Sequence, residues 1–461
     1  MTRFQDRTTA GALAQGKVKR RTILRGLAGG GIATVLGLKA PAVLANSRPF
    51  EGVTLQGACF QHVFHEHVKA YLPEFEEASG MKVQIDFQAF PVYNQRMDLE
   101  LSTRGSSYDF INITFPYSGR WVGAGWLHPL DDFIADANMT AEGWDADDFV
   151  SGTRAPFFNA EGQTCGFPWE AGAMMAGYAR FDLMEAAGFG IPETLEEFEA
   201  MNRALHGQDG VAAYVNDKLH HWNFPPYLMN FGGGVFRGAP EDLMPILDTA
   251  EAAEAAQYYA ALLSDYGARG VLSFTDDQAL RMQLNGQANA RTNAMAWVLP
   301  LTQSPDSKVR ETTRYGMIPR GKAGSFPGSN ANGYGIPAEA RQKEAAWAFI
   351  QWATSKETFR KIALERGGLA TPRRSIIDDP DYRQRLMING QDVASIYLKV
   401  LEEAGEGGYM KYRTVPVFPQ VGDKLNKAIE RIASGQMSAA DAMKAAQSEA
   451  IDDLRKAGIA L

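Results

Sequence analysis

The chain has 461 residues, of which 45% are hydrophobic and 22% charged, and its formal net charge at pH 7 is −8. This length predicts two sizeable hydrophobic cores rather than one, and the composition is that of a soluble globular protein. An acidic surface repels phosphate backbones and anionic lipid, so the charge argues against nucleic-acid binding.

The N-terminal segment has the pattern of a cleavable export signal. Arg20 and Arg21 precede an apolar run at residues 23–38, and small residues follow as far as Ala45. Five glycines interrupt the run, which is shorter than the roughly 20 apolar residues of a membrane-spanning helix. The heptad KRRTILR resembles the twin-arginine consensus, so we expect a twin-arginine signal over residues 1–45, with the general secretion route as the alternative. Its removal would lower the net charge to −15, because the segment carries eight Lys or Arg against one Asp.

Downstream, the apolar pattern predicts strands that alternate with helices. Residues 53–60 form an apolar run typical of a buried strand. Apolar side chains at helical spacing follow over residues 64–75, and Gly80 is a stop signal for that helix. Residues 83–87 and 108–113 predict two further strands with a helix between them. This order predicts an α/β fold with parallel pairing and helices on both faces of the sheet.

Six blocks of the chain resemble one protein family. The first contains GWLHPLDDF, and another, NANGYGIPAEARQKEAAWAFIQWATSKE, joins a glycine-rich strand to a helix rich in Ala and Trp. In chain order the blocks cover residues 114–134, 162–201, 231–236, 280–297, 330–357 and 417–450. Their order and spacing resemble those of bacterial extracellular solute-binding proteins, the capture subunits of ABC importers, in the cluster similar to maltose-binding protein.

The resemblance implies a two-lobed periplasmic-binding-protein fold, with discontinuous lobes around a ligand cleft and hinge strands between them. It implies crossings near Pro168, Gly335 and Ala370. The expected segments are 46–168 and 336–370 for lobe I, and 169–335 and 371–461 for lobe II. Proteins of this shape close around ligand by hinge motion. The resemblance also implies a monomer that hands a small carbohydrate or polyol to an ABC permease, with no cofactor and no catalytic turnover.

The loops that follow the predicted strands supply candidate ligand contacts. Ligands of open α/β sheets lie outside the carboxyl ends of the strands. A sugar, polyol or small oligosaccharide needs flat apolar faces for its C–H surface and fixed donors and acceptors for its hydroxyls. Residues of both kinds occur there, at Gln61, His62, Tyr117, Ser118, Trp169, Glu170, Asn330, Asn332, Tyr334 and Arg373. Matched family positions add Gly233, Trp297 as a stacking ring, and Tyr412 as a residue that closes the second lobe over the ligand.

Trp169 is the residue on which the expected site most depends. It follows the first expected crossing, so its ring would lie at the base of the cleft as a platform for C–H surface, with Glu170 accepting from hydroxyls. The alternative is that the indole packs beneath the hinge as part of the core.

Two other functions stay open at this point. Arg373 and Arg413 suit an anionic solute, and Glu170 suits a cationic one, so a charged ligand is the alternative among binding proteins. A secreted glycosidase is the alternative of another class, because two suitably placed carboxylates suffice for glycoside hydrolysis. The chain contains no G-x-S-x-G elbow, Walker A loop or strand-associated G-x-G-x-x-G.

Metal and disulfide chemistry are both disfavoured. His62, His65 and His67 lie within two turns of one predicted helix, but their spacing is not that of an H-E-x-x-H zinc site. We therefore expect polar residues at the lip of a cleft and no metal. Cys59 and Cys165 are too few for a disulfide framework. They are expected to be small buried hydrophobes, with a single bridge formed after export as the alternative.

Overall fold

A computed structural model describes residues 48–295, 298–407 and 412–461. The predicted signal and Trp297 lie outside these residues. The strands are β1 (Thr54–Phe60), β2 (Lys82–Gln88), β3 (Phe110–Ile113), β4 (Phe167–Ala173), β5 (Ala176–Tyr178), β6 (Ala212–Tyr214), β7 (Phe236–Gly238), β8 (Asp242–Pro245), β9 (Ala288–Arg291), β10 (Arg314–Gly316), β11 (Ser329–Gly335), β12 (Met387–Ile388) and β13 (Gln391–Asp392).

The helices lie mainly between these strands and after the last of them. They are α1 (Val63–Ser79), α2 (Phe90–Ser102), α3 (Ser118–Gly123), α4 (Asp131–Ala135), α5 (Ser151–Arg154), α6 (Phe181–Ala186), α7 (Leu195–Leu205), α8 (His220–Asn223), α9 (Pro225–Asn230), α10 (Ala250–Ser264), α11 (Asp276–Leu284), α12 (Val298–Gln303), α13 (Lys343–Ala353), α14 (Lys356–Glu365), α15 (Arg374–Ile377), α16 (Pro380–Arg385), α17 (Val393–Glu406), α18 (Phe418–Ala433) and α19 (Ala439–Lys456). Among the described residues, no helix combines the length and apolar character that crossing a membrane requires.

The first elements form where the sequence predicts them. His62 begins α1, because its Nδ1 accepts a hydrogen bond from the Phe64 backbone N–H at 3.2 Å. Gly80 ends α1 at φ 75°, a left-handed conformation that glycine adopts without strain, and its N–H donates to the Glu76 carbonyl. β1 then pairs in parallel with both β2 and β3, so the predicted parallel pairing is confirmed.

Two sheets organise the described chain. The first has the strand order β2-β1-β3-β11-β4, and the second has the order β10-β5-β9-β6. β11 runs antiparallel to both β3 and β4, so the first sheet is mixed rather than wholly parallel. β4 is followed directly by β5 of the second sheet, and β11 is preceded by β10 of that sheet. The paired strands β4 and β11 therefore carry the chain from one sheet to the other.

Each sheet has its own cluster of buried apolar side chains. The first core is drawn mainly from residues 55–175 and 331–401, and the second core mainly from residues 176–318 and 412–454. Phe115 is an exception, because it lies in the second core although its chain neighbours lie in the first.

The core boundaries differ from the expected lobe boundaries. The chain leaves the first core after β4 rather than near Pro168, and it has returned by Ala331, before Gly335. The larger difference concerns residues 376–401, which were expected in lobe II but pack in the first core. Tyr397 on α17 shows the physical reason, because its hydroxyl donates to the carbonyls of Ala171 and Thr371 at 2.7 and 2.9 Å. These bonds hold α17 against β4.

Both cysteines are free and buried, as expected for small hydrophobic residues. Burial raises the pKa of the Cys165 thiol to about 11 and that of the Cys59 thiol well above its ordinary value. A thiol held in its protonated form is a poor nucleophile, so these residues act through packing.

Candidate functional site

A cavity of about 290 Å³ lies beside the carboxyl end of β1, against β4. Met295, Leu299 and Pro300, from the part of the chain between β9 and β10, also line it. The end of α14 and the loop after it complete the wall at residues 362–371. The lining is mostly apolar, and its polar members are His62, His67, Glu170, Arg366 and Thr371. An apolar wall with a few convergent polar groups is the usual form of a small-molecule site.

Glu170 on β4 is the best-oriented polar group of this cavity. Its Oε2 accepts a hydrogen bond from Asn332 Nδ2 at 2.7 Å, and its Oε1 lies 3.5 Å from His62 Nε2. His62 Nδ1 accepts the bond that begins α1, so Nε2 is the ring nitrogen that faces the carboxylate. The Glu170 side chain remains 18% exposed. It is therefore held in one orientation and can still accept from a ligand.

Asn332 on β11 connects this carboxylate to the loop after β3. Its Oδ1 accepts from the Phe115 backbone N–H at 2.9 Å while its amide nitrogen donates to Glu170. β11 places Asn332 opposite Glu170 in the pairing with β4. The residue is 6% exposed, so its amide acts mainly in orienting its two partners.

Trp169 borders the cavity but has no exposed surface. Phe64 stacks on its ring with the centroids 4.7 Å apart and the planes at 19°. His65 and Phe60 pack at 4.6 and 5.9 Å, and Trp169 Nε1 has no hydrogen-bond partner among the described residues. These contacts fit the core alternative; the prediction of a stacking platform for ligand remains a prediction.

Tyr334 packs against the same aromatic cluster. It is fully buried, and its hydroxyl lies 2.9 Å from His65 Nδ1. Burial, and secondly the charge of nearby His62, lowers the pKa of His65 to about 3. The rings of His65 and Tyr334 both pack near that of Trp169, and neither residue lines the cavity.

Arg373 lies inside the first core, away from the cavity lining. It donates to the carbonyls of Thr354 and Asp145 at 2.7 and 2.9 Å, and to Asp148 Oδ2 at 3.0 Å. Its guanidinium carbon lies 4.0 Å from the centroid of the Phe149 ring. Burial lowers the pKa of Arg373 to about 10, and the contact with Asp148 opposes that change. Arg373 therefore stabilises the first core and does not line the ligand cavity.

The remaining predicted residues that the structure describes lie outside the cavity lining, in several parts of the fold. Gln61 is exposed and adjoins His62, while Tyr117 packs against Trp121 with the ring centroids 5.4 Å apart. Ser118 is buried and donates to the Phe115 carbonyl at 3.0 Å. None of these three residues lines the cavity.

Asn330, Gly233 and Tyr412 also lie outside the cavity lining. Asn330 lies across Gly172, where a Cβ would be 1.7 Å from the Asn330 amide oxygen. Gly233 follows α9, close to Leu228. Tyr412 packs in the second core against Phe418 at 5.6 Å. The cavity therefore brings together His62, Trp169 and Glu170 from the predicted set.

Several lining residues were missed by sequence reasoning. Phe64, Leu299 and Arg366 lie on or beside helices, whereas most predicted contacts follow strands. The paired glycines after α14, Gly367 and Gly368, were an available signal for close backbone approach. Within the described ranges, His, Cys, Asp and Glu form no group able to hold a metal ion.

The fold has counterparts among known proteins. Residues 64–358 match the family model described as "Bacterial extracellular solute-binding protein". The mannitol-binding protein of Pseudomonas aeruginosa is 28% identical over 389 residues, which cover 80% of this chain and 85% of that protein.

Two solved solute-binding proteins of ABC transporters share the architecture. The one from Agrobacterium radiobacter K84, in complex with ribitol, has a TM-score of 0.73 at 22% identity and covers 87% of this chain and 99% of its own. The one from Agrobacterium vitis S4, with bound D-mannitol, has a TM-score of 0.71 at 23% identity, with coverages of 88% and 99%. These likenesses confirm the expected α/β fold of a two-lobed binding protein.

Proposed function

The chain belongs to the family of bacterial extracellular solute-binding proteins, and we propose on this basis that it captures a polyol or small sugar for an ABC importer. The observation that carries the proposal is the Glu170 carboxylate, which Asn332 and His62 orient beside a mostly apolar cavity. An oriented carboxylate accepts from neighbouring hydroxyls, and an apolar wall suits C–H surface. The relative that binds mannitol and the neighbours solved with ribitol and D-mannitol support the same ligand class.

The size and charge of the site favour a small neutral ligand. A volume of about 290 Å³ is at the lower end for ligand sites, which favours a polyol or monosaccharide over an oligosaccharide. The anionic-ligand alternative relied on Arg373 and Arg413. The Arg373 guanidinium bonds to Asp148 within the first core, and buried Arg413 donates to the His221 carbonyl. A cation at Glu170 would have to compete with the donors of Asn332 and His62.

Capture without chemistry is part of the proposal. Ligand whose full set of contacts forms only in the closed arrangement has a higher affinity for that arrangement and so drives closure. The protein would then act as a monomer that presents the closed complex to its permease. A glycosidase would instead release a cleaved product on prolonged incubation with an oligosaccharide.

A thermal-shift screen tests the ligand class. We expect the melting temperature to rise with D-mannitol, ribitol or a neutral monosaccharide, since ligand at 100 times its dissociation constant adds about 2.7 kcal/mol to the free energy of unfolding. Acidic sugars and polyamines should leave it unchanged. A rise confined to the charged solutes would overturn the proposed ligand class.

We also propose delivery to the periplasm by the twin-arginine route, on the basis of KRRTILR. Replacing both Arg20 and Arg21 with lysine should retain the precursor in the cytoplasm, because a receptor reads the pair itself rather than its charge. Fractionation followed by immunoblotting measures this. Normal export of the double-lysine variant would assign the signal to the general secretion route.

A further inference from the structure

Phe115 lies in a loop of the first sheet, but its side chain packs in the second core. It follows β3, whose residues Phe110 and Ile113 pack in the first core. Its own ring is buried among residues of the second core. The contacts of this ring therefore exist only while the two cores lie against each other.

The Phe115 ring forms part of an aromatic enclosure around an arginine. It meets Trp222 edge-on, with the ring centroids 5.4 Å apart and the planes at 83°. The Arg413 guanidinium carbon lies 4.8 Å from the centroids of both rings and 4.4 Å from that of Phe418. Arg413 also donates to the His221 carbonyl at 3.1 Å and is 3% exposed. A cation against aromatic faces is held more strongly when water is excluded, as it is here.

The backbone of Phe115 is tied to the proposed ligand site. Its N–H donates to Asn332 Oδ1, and the amide nitrogen of the same Asn332 donates to Glu170. A ligand that fixes the Glu170 carboxylate therefore also restricts Asn332 and, through it, the loop that carries Phe115.

A second contact between the cores lies one turn further along the chain. A Cβ added to Gly119 on α3 would lie 1.1 Å from the Thr414 carbonyl oxygen, so only glycine permits this approach. Gly123, on the same helix, has no atom within 4 Å of such a Cβ. A methyl group added at Gly119 would therefore disrupt the contact with Thr414, whereas one added at Gly123 would leave it intact.

We propose that Phe115, Trp222 and Arg413, with the close approach of Gly119 to Thr414, form a latch that holds the closed protein and slows release of ligand from Glu170. The inference rests on the proposed function. Phe115 and Asn332 act in it as positioning residues, because neither lines the cavity. Since the latch joins the two cores, it stabilises only the arrangement in which they are in contact, and apparent affinity scales with the fraction of protein in the binding-competent arrangement.

Gly119→Ala and Gly123→Ala provide the test, with D-mannitol and ribitol as probes of the wild-type chain and both variants. Titration calorimetry gives the dissociation constant, stopped flow gives the release rate, and small-angle X-ray scattering gives the radius of gyration with and without polyol. We expect Gly119→Ala to weaken binding about tenfold or more, mainly through faster release, and to give the more expanded particle. Gly123→Ala should match the wild type in all three measurements.

Variants of Phe115 separate the latch from mere packing. Phe115→Ala should speed release about tenfold, whereas Phe115→Tyr, which keeps the ring face, should restore the wild-type rate. A purely structural role would lower the melting temperature in Phe115→Ala without changing release from the folded protein. Equal release rates in Gly119→Ala and Gly123→Ala would overturn the latch.

The two proposals fail in different ways. If the wild-type chain binds neither polyol, the proposed function fails for these ligands. The latch is then decided by scattering without polyol: greater expansion of Gly119→Ala than of Gly123→Ala supports it, and identical profiles contradict it.

Discussion

Two buried arginines lie among aromatic rings in this protein, and their surroundings differ in one respect. Arg373 packs on Phe149 at 4.0 Å and on Trp144, and both rings belong to the first core. Arg413 packs on Phe418 and Phe115, and Phe115 comes from the loop after a strand of the first sheet. The same chemistry therefore stabilises one core in the first case and joins two cores in the second. Both arginines looked alike in the sequence, as possible ligands for an anion.

The largest expected effect is on stability, at the arginine that lies within one core. Replacing Arg373 with methionine leaves the carboxylate of Asp148, whose side chain is 7% exposed, without its buried partner. Breaking a buried pair in this way costs about 3–5 kcal/mol of unfolding free energy, which chemical denaturation measures.

Arg374 is the matched control for that change. It adjoins Arg373, but its side chain is 47% exposed and pairs at the surface with Glu402. Arg374→Met should cost less than about 1 kcal/mol. Equal losses in the two variants, or weaker polyol binding by folded Arg373→Met, would contradict a role confined to the core.

Trp169 extends the comparison to the cluster beneath the cavity. Trp169→Ala removes a fully buried ring that stacks on Phe64, so the ligand-free protein should lose roughly 3–5 kcal/mol of unfolding free energy. Calorimetric melting with and without D-mannitol measures both roles of the ring. An unchanged melting temperature together with loss of the polyol response would instead support the platform predicted from the sequence.

The same cluster should make stability depend on pH. His65 is neutral in the folded protein because its pKa is lowered to about 3, whereas in the unfolded chain it takes up a proton below about 6.5. The stability that depends on neutral His65 is therefore complete above pH 6.5. As the pH falls from there towards 3, the unfolding free energy decreases by about 1.4 kcal/mol per pH unit. Between pH 7 and 5, the unfolding free energy of His65→Gln should thus fall by about 2 kcal/mol less than that of the wild type. Parallel denaturation profiles would show that His65 does not titrate in this way.

The elements of the first sheet were predictable because their signals are local. β1, α1 and β2 each have an apolar pattern or a stop signal within their own residues, as Gly80 illustrates. The direction of β11 was not predictable, because it is set by pairing with β3 and β4, which are far away in the sequence. The packing of α17 in the first core was not predictable either, since an amphipathic helix does not specify which core it covers.

The candidate site shows the same division. His62 and Glu170 were found because they follow or lie on strands at the expected edge of the sheet. The orientation of Glu170 depends on Asn332, whose hydrogen bond to it spans 162 positions in the chain. The burial of Phe115 in the second core could not be predicted, because it depends on how the two cores pack.

Titration calorimetry of Glu170→Gln with D-mannitol and ribitol tests the central claim most directly. The substitution keeps the shape of the side chain and its contact with Asn332 but removes the charge that accepts from ligand hydroxyls. Hydrogen bonds to charged groups are worth about 1.5–3 kcal/mol, so affinity should fall about tenfold or more. Glu142→Gln, at an exposed position outside the cavity lining, should bind like the wild type. Wild-type affinity in Glu170→Gln would contradict the assignment of this cavity as the polyol site.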